Sequence, residues 1–123
     1  MASMSAGPPD AAVGPSLTLR CLVEGDTTTI QCSGKLIAGL TSLLRDEVKR
    51  AIPESKKIVL DLTSLTQMDS MGLGTIMGLY VSAKASGCEL ILINLSQRVR
   101  ELFRITNVWS ILGVYGDHIV RMP

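Results

Sequence analysis

Apolar positions change period several times along this chain, and each change marks an element. Leu17-Thr18-Leu19-Arg20-Cys21-Leu22-Val23 alternates roughly, and Thr27-Thr28-Thr29-Ile30-Gln31-Cys32 is β-branched. Glu24-Gly25-Asp26 between them has turn chemistry, so the pair reads as a β-hairpin. Ser33-Gly34-Lys35 punctuates its end. From Leu40 to Ile52, apolar residues fall at 40, 43, 44, 48, 51 and 52, with Arg45, Asp46, Glu47, Lys49 and Arg50 mostly elsewhere. That is the pattern of an amphipathic helix, with Thr41 or Ser42 available as cap and Pro53 as its stop. Lys57–Leu62 is an apolar run broken by Asp61, and Glu89–Asn94 is another. Continuous rather than alternating hydrophobicity predicts strands covered on both faces. Between these runs, a polar connection (TSLTQ) leads into a helix-compatible segment that Gly87 stops. Ser96 caps a short helix with Val99, Leu102 and Phe103 inward and Arg98, Arg100 and Arg104 outward. Asn107 is the expected end of that helix. Val108–Tyr115 holds a short apolar turn and an optional last edge strand.

The order is β-β-α-β-α-β-α-(β). Strands alternating with helices through short connections predict a single α/β domain. Its sheet is mixed and mostly parallel, of four to five strands, opened by an N-terminal hairpin. Residues 1–15 are small, Pro/Gly-rich and without period, so a disordered leader is expected there. The domain is placed at 16–118 and a tail at 119–123. There are no internal repeats.

Composition narrows the function classes. The chain has 123 residues, enough for one ordinary core, and only 3% aromatics, so that core is aliphatic. Net charge is +1 and no basic run exceeds two residues. Without a basic patch or a stacking platform, nucleic-acid binding is not expected. Cys21, Cys32 and Cys88 are widely spaced among β-type apolar residues, which predicts reduced, buried thiols in a cytoplasmic protein rather than a disulfide or metal framework. No stretch reaches the roughly 20 apolar residues of a membrane span, and no signal-peptide pattern opens the chain.

The segment that remains is Met68-Asp69-Ser70-Met71-Gly72-Leu73-Gly74. It stands where a buried strand hands over to a helix, a usual place for chemistry or recognition in α/β proteins. No charged residue occurs from Ser70 through Ala83. At 100° per residue, Leu73, Ile76, Met77 and Tyr80 form one side, the expected core face. Met71, Thr75, Gly78 and Ser82 form the other, and Lys84 falls near the core side, so it must snorkel outward. A charge-free outer face is either a surface that another protein covers or a helix buried on both sides by its own fold. Asp69 and Ser70 can each cap the helix. A phosphate on Ser70 would add roughly −1.5 to −2 charges beside Asp69 and expel a partner packed there.

Ile58–Tyr80, IVLDLTSLTQMDSMGLGTIMGLY, closely resembles the signature of STAS domains, specifically the bacterial anti-sigma factor antagonists. The similarity runs on through CELILINL and SQRVRELFRITNVWSIL and back over the hairpin, covering about residues 16–116. The resemblance implies a small mixed sheet backed by helices and a partner-switching role in transcription regulation. In that family an anti-sigma factor that is itself a serine kinase binds the unphosphorylated antagonist and frees the sigma factor. Phosphorylation releases the antagonist, and a phosphatase resets it. By position, Ser70 would be the phosphorylation site and Asp69 its acidic neighbour. Met71, Gly72 and Leu73 would begin the docking face, which Thr75 and Gly78 extend. ATP and magnesium would belong to the kinase; the chain itself is expected to need no cofactor. Three features depart from the pattern. Ile37 stands where many members carry an acid, Met71 where a small residue is common, and the C-terminal helix is short or missing.

A non-switching STAS scaffold, in a stress-signalling assembly or as an accessory subunit of a lipid transporter, would use the same surface without a phosphate. A nucleotide-binding STAS module is a weaker reading. The charge-free helix face suits a homodimer as well as a foreign partner. An enzyme is the least expected reading. The only histidine, His118, sits near the end, the glycines match no dinucleotide or P-loop fingerprint, and Asp61, Asp69 and Ser70 lack a base to activate a nucleophile.

Overall fold

The hairpin is built as its residues predict. Strands β2 (Leu17–Glu24) and β3 (Thr27–Leu36) pair antiparallel, and Gly25 takes the positive φ that a two-residue turn demands. The computed structural model describes residues 11–13, 16–105, 113–115 and 119–121. Three helices and five further strands complete the described residues, in the order β1 (Ala11–Val13), β2, β3, α1 (Thr41–Ala51), β4 (Lys57–Met68), α2 (Ser70–Ala85), β5 (Glu89–Ile93), α3 (Gln97–Ile105), β6 (Gly113–Tyr115) and β7 (Ile119–Arg121). The sheet order is β1-β2-β3-β4-β5-β7-β6.

The four longer strands, β2 to β5, are the expected mixed sheet: β3, β4 and β5 run parallel and β2 joins antiparallel. Three-residue strands widen it, all antiparallel. Two of them lie in stretches expected to stand outside the domain. β1 falls within the leader and pairs with β2; β7 falls within the tail and pairs with β5. The rest of the leader, the expected helix end at Asn107 and most of the final stretch lie outside the described residues.

Ser33-Gly34-Lys35 does not end β3. Gly34 pairs with Leu17 at φ 104°, and a Cβ there would stand 2.1 Å from the Ser16 carbonyl oxygen. The glycine therefore continues the strand through a close backbone approach instead of breaking it. β4 is likewise longer than expected. The polar TSLTQ stretch stays in the sheet through register shifts against β3, so the strand reaches Met68 and a single residue, Asp69, separates it from α2.

Leu17, Leu19, Ile30, Cys32, Ile58, Leu60, Leu62, Leu90 and Leu92 line one face of the sheet in a single core. Leu44 and Val48 of α1, Ile76, Leu79 and Ala83 of α2, and Val99 and Phe103 of α3 pack into that core. Each large side chain so buried contributes about 1.5–3 kcal/mol. The central strand is thus not covered on both faces as its apolar run suggested. Val59 and Asp61 point the other way and stay half-exposed. Asp61 is held there by Thr63 and Asn94: the Thr63 N–H and hydroxyl and the Asn94 amide all donate to its Oδ1. Thr41 and Ser42 do not cap α1, whose start carries no side-chain cap; Pro53 follows it within a 3-10 turn, Ile52–Glu54.

The thiols follow expectation in part: no disulfide joins them, and Cys32 and Cys88 are buried, but Cys21 is only half-buried, with its Sγ 3.6 Å from Glu47 Oε1. Burial first, then the Asp61 charge and Cys21, pushes the Cys32 thiol up to about 12.

A candidate docking and modification site at the start of helix α2

The end of β4 and the end of β3 converge where α2 begins. Leu36 pairs with Met68 in the last register of the two strands, and the Asp69 N–H reaches the Leu36 carbonyl at 3.4 Å. Asp69 has extended backbone and is the N-cap: its Oδ1 accepts from the Gly72 N–H at 2.9 Å. Its Oδ2 accepts from the Ala38 N–H, also at 2.9 Å. One carboxylate therefore closes the helix start and staples the Ile37–Gly39 loop to it. The Ala38 N–H is the main cause that holds the Asp69 carboxyl below the usual range, with the Gly72 and Met71 N–H groups adding to it against partial burial.

Capping by Asp69 leaves Ser70 unoccupied with that task. Ser70 is exposed on the first turn, and its hydroxyl makes no hydrogen bond among the described residues. The exposed stripe of α2 continues through Met71, Gly74, Gly78 and Val81, with Met71 58% and Val81 62% exposed. These positions repeat at helical spacing and carry no charge. Ile37 and Ala38 lie on the loop that Asp69 holds beside it.

The wheel holds in part: Leu73 and Ile76 are buried and Met71 and Gly78 exposed as expected, but Thr75, expected on the outer face, is buried. Gly72 and Leu73, which the resemblance put at the start of the docking face, are buried as well. A Cβ at Gly72 would stand 2.2 Å from the Leu36 carbonyl oxygen, so this glycine lets the first turn rest directly on β3. Thr75 turns its hydroxyl back to the Met71 carbonyl at 2.9 Å. Leu79 joins the core, while Met77 and Tyr80 are only half-buried. Gly74 and Val81, missed from sequence, lie on the open stripe. Apolar residues all round α2 hide its orientation, and the small exposed Gly74 gave no hydrophobic signal. Lys84 does point outward, its Nζ 3.2 Å from the Tyr80 hydroxyl and 5.7 Å from the ring centroid.

An exposed serine thus follows the Asp69 cap and opens a helix that carries no charge before Lys84, at the end of a parallel strand. The STAS domain family model matches residues 20–118. The chain belongs to the STAS domain family. Among its relatives, the anti-sigma F factor antagonist of Paenibacillus polymyxa is 28% identical over 73% of this chain and 79% of its own length. The STAS-domain containing protein PA14_20770 of Pseudomonas aeruginosa is 31% identical over 68% of this chain and 83% of its own. Among solved structures, the anti-sigma factor antagonist SpoIIAA in its unphosphorylated form superposes with a TM-score of 0.65 at 26% identity, over 77% of this chain and 84% of that one. The phosphorylated form of SpoIIAA from Bacillus gives 0.61 at 25% identity, over 77% and 86%.

Within the STAS fold, this chain offers no described cluster of His, Cys, Asp and Glu suited to a metal ion, and no described helix is long and apolar enough to cross a membrane.

Proposed function

We propose that this STAS domain is an anti-sigma factor antagonist that works by partner switching, with the start of α2 as its docking face and Ser70 as its phosphorylation site. The observation that carries the reading is the division of labour at the helix start. Asp69 takes the cap and occupies the anion-accepting N–H groups, while Ser70 stands beside it, exposed and unbonded among the described residues. A helix N-terminus ordinarily welcomes a phosphate. Here Asp69 already fills that role, so a phosphate on Ser70 is pushed outward, onto the surface a partner would cover. Two adjacent anions then face an uncharged stripe of Met71, Gly74, Gly78 and Val81. An anion left unpaired in such a contact costs several kcal/mol.

The partner of the unphosphorylated form is an anti-sigma factor serine kinase, which supplies ATP and magnesium, and a phosphatase restores the hydroxyl. The chain acts as a regulator and not as a catalyst. Ile37 puts an apolar side chain on the loop that Asp69 holds, where the family resemblance leads one to expect an acid, so the docking face is less negative before phosphorylation. The test is incubation with a cognate anti-sigma kinase and ATP, read by intact mass. One added phosphate, absent in Ser70→Ala, is the expected result. No mass shift under conditions that label a known antagonist would refute the phosphorylation and favour a STAS scaffold that binds without a switch.

A further inference from the structure

A groove of about 710 Å³ runs between the end of β4 and helix α3, lined by Met68, Gln97, Arg98, Glu101, Leu102 and Ile105. It lies beside the α2 start but uses different side chains. Its apolar part is Met68, Leu102 and Ile105, and Ile105 is 69% exposed although it sits on the helix that packs Val99 and Phe103 into the core. The charges around it are not balanced. α3 carries Arg98, Arg100 and Arg104 against Glu101, a net of +2 over Gln97–Ile105. The Glu101 carboxylate is ion-paired with Arg104. Arg98 lines the groove and forms no ion pair with a carboxylate among the described residues. Among the described residues, the groove presents an aliphatic strip, the Gln97 side chain, the Arg104-paired Glu101 and the Arg98 guanidinium.

We propose that this groove is a second docking surface, and that its occupant is a peptide segment of another protein presenting a carboxylate beside large apolar side chains. The guanidinium is suited to a bidentate grip on a carboxylate, which fixes register. The apolar side chains would bury Ile105 and Leu102 and supply most of the affinity, since an exposed ion pair alone contributes little. The surface is distinct from the α2 stripe, which has no charge to select a partner. The proposal does not rest on phosphorylation of Ser70.

The test selects from a displayed library of random dodecapeptides on the full chain, then measures the enriched peptides by titration and by amide chemical-shift mapping. Enriched sequences are expected to place Asp or Glu next to Leu, Ile, Phe or Trp. They should shift the amides of Arg98, Leu102 and Ile105, and bind Arg98→Glu at least tenfold more weakly. Ile105→Lys, a change at an exposed position, should weaken them similarly. Met71→Lys, on the other surface, should leave them unchanged and weaken kinase binding instead, so the two surfaces fail or pass separately. Absence of any enriched sequence, enrichment of basic peptides, or affinity that Arg98→Glu does not alter would overturn the proposal.

Discussion

Replacing Gly72 with alanine tests how the helix start is positioned. The added Cβ would meet the Leu36 carbonyl oxygen at 2.2 Å and the Leu36 Cγ and Met68 Cγ at 3.0 Å. Backbone cannot swing aside as a flexible side chain can, so α2 and the end of β3 must separate by about 1 Å to restore an ordinary contact. The same carbonyl accepts the Asp69 N–H at 3.4 Å, and that long bond would be lost first. Overpacking of this kind costs about 1–3 kcal/mol, and strain against backbone belongs at the upper end. Alanine regains roughly 1 kcal/mol in helix propensity. The net expectation is a loss of about 1–2 kcal/mol. Gly74 and Gly78 are internal controls, because a Cβ at either has nothing within 4 Å. Alanine at each should stabilise by about 0.5–1 kcal/mol. At roughly 4 °C per kcal/mol for a domain of this size, Gly72→Ala and Gly78→Ala should differ in midpoint by about 6–12 °C. Thermal unfolding by circular dichroism, with urea titration for the free energies, reads this directly. A Gly72→Ala protein as stable as Gly78→Ala would refute the packing of α2 on Leu36.

The stabilised variants should weaken the proposed kinase complex: Gly74→Ala and Gly78→Ala each add a methyl to the flat stripe, and titration calorimetry should show a several-fold loss of affinity despite the firmer fold. Asp69→Asn keeps one acceptor but cannot accept from both Gly72 and Ala38, so urea unfolding should show a loss of about 1 kcal/mol. The pH dependence has a definite sign. The Asp69 carboxyl is lowered by its bonds from Ala38 and Gly72. At Asp61 burial would raise the carboxyl, but the bonds from Thr63 and Asn94 outweigh it and lower it. With folded values below the unfolded value of about 3.9, both contribute fully above that pH, and the contribution is lost as pH falls through the folded values. Urea midpoints measured downward from pH 5 should fall, and Asp69→Asn should flatten part of the slope; a midpoint that rises on acidification would contradict this. Finally, native Cys32, with its thiol pushed up to about 12 by burial, should resist iodoacetamide at pH 8 while reacting in urea. Peptide mapping that finds equal labelling in both states would contradict the burial.

Much of this fold was legible because periodicity and punctuation agreed. The hairpin around Gly25, the amphipathic α1, the existence of β4 and β5 and the Ser96 cap of α3, whose Oγ accepts from the Val99 N–H at 3.2 Å, all follow from local residue patterns. The failures were tertiary. Gly34 reads as a breaker in isolation, yet it continues β3 because the Ser16 carbonyl comes too close for any side chain. The TSLTQ stretch reads as a loop because it is polar, but backbone pairing with β3 extends the strand regardless of its side chains. At the site, Asp69 and Ser70 could be placed at a helix start from sequence, but not ranked as cap and free hydroxyl. That choice depends on the Ala38 N–H, which sequence does not bring near Asp69. The docking face was blurred for a related reason. With apolar or small residues on every side of α2, its rotation depends on tertiary packing, including the close approach of Gly72 to Leu36, which turns Thr75 inward and leaves Gly74 and Val81 outward.

The central claim is that a covalent anion on Ser70 governs contact without altering the fold. Its most direct test is the affinity of the cognate anti-sigma kinase for this chain carrying phosphoserine at position 70, compared with the unmodified chain at matched ionic strength. A loss of about 100-fold or more, corresponding to about 3 kcal/mol, with an unchanged unfolding midpoint is the expected result. Equal affinity for the two forms would contradict the claim.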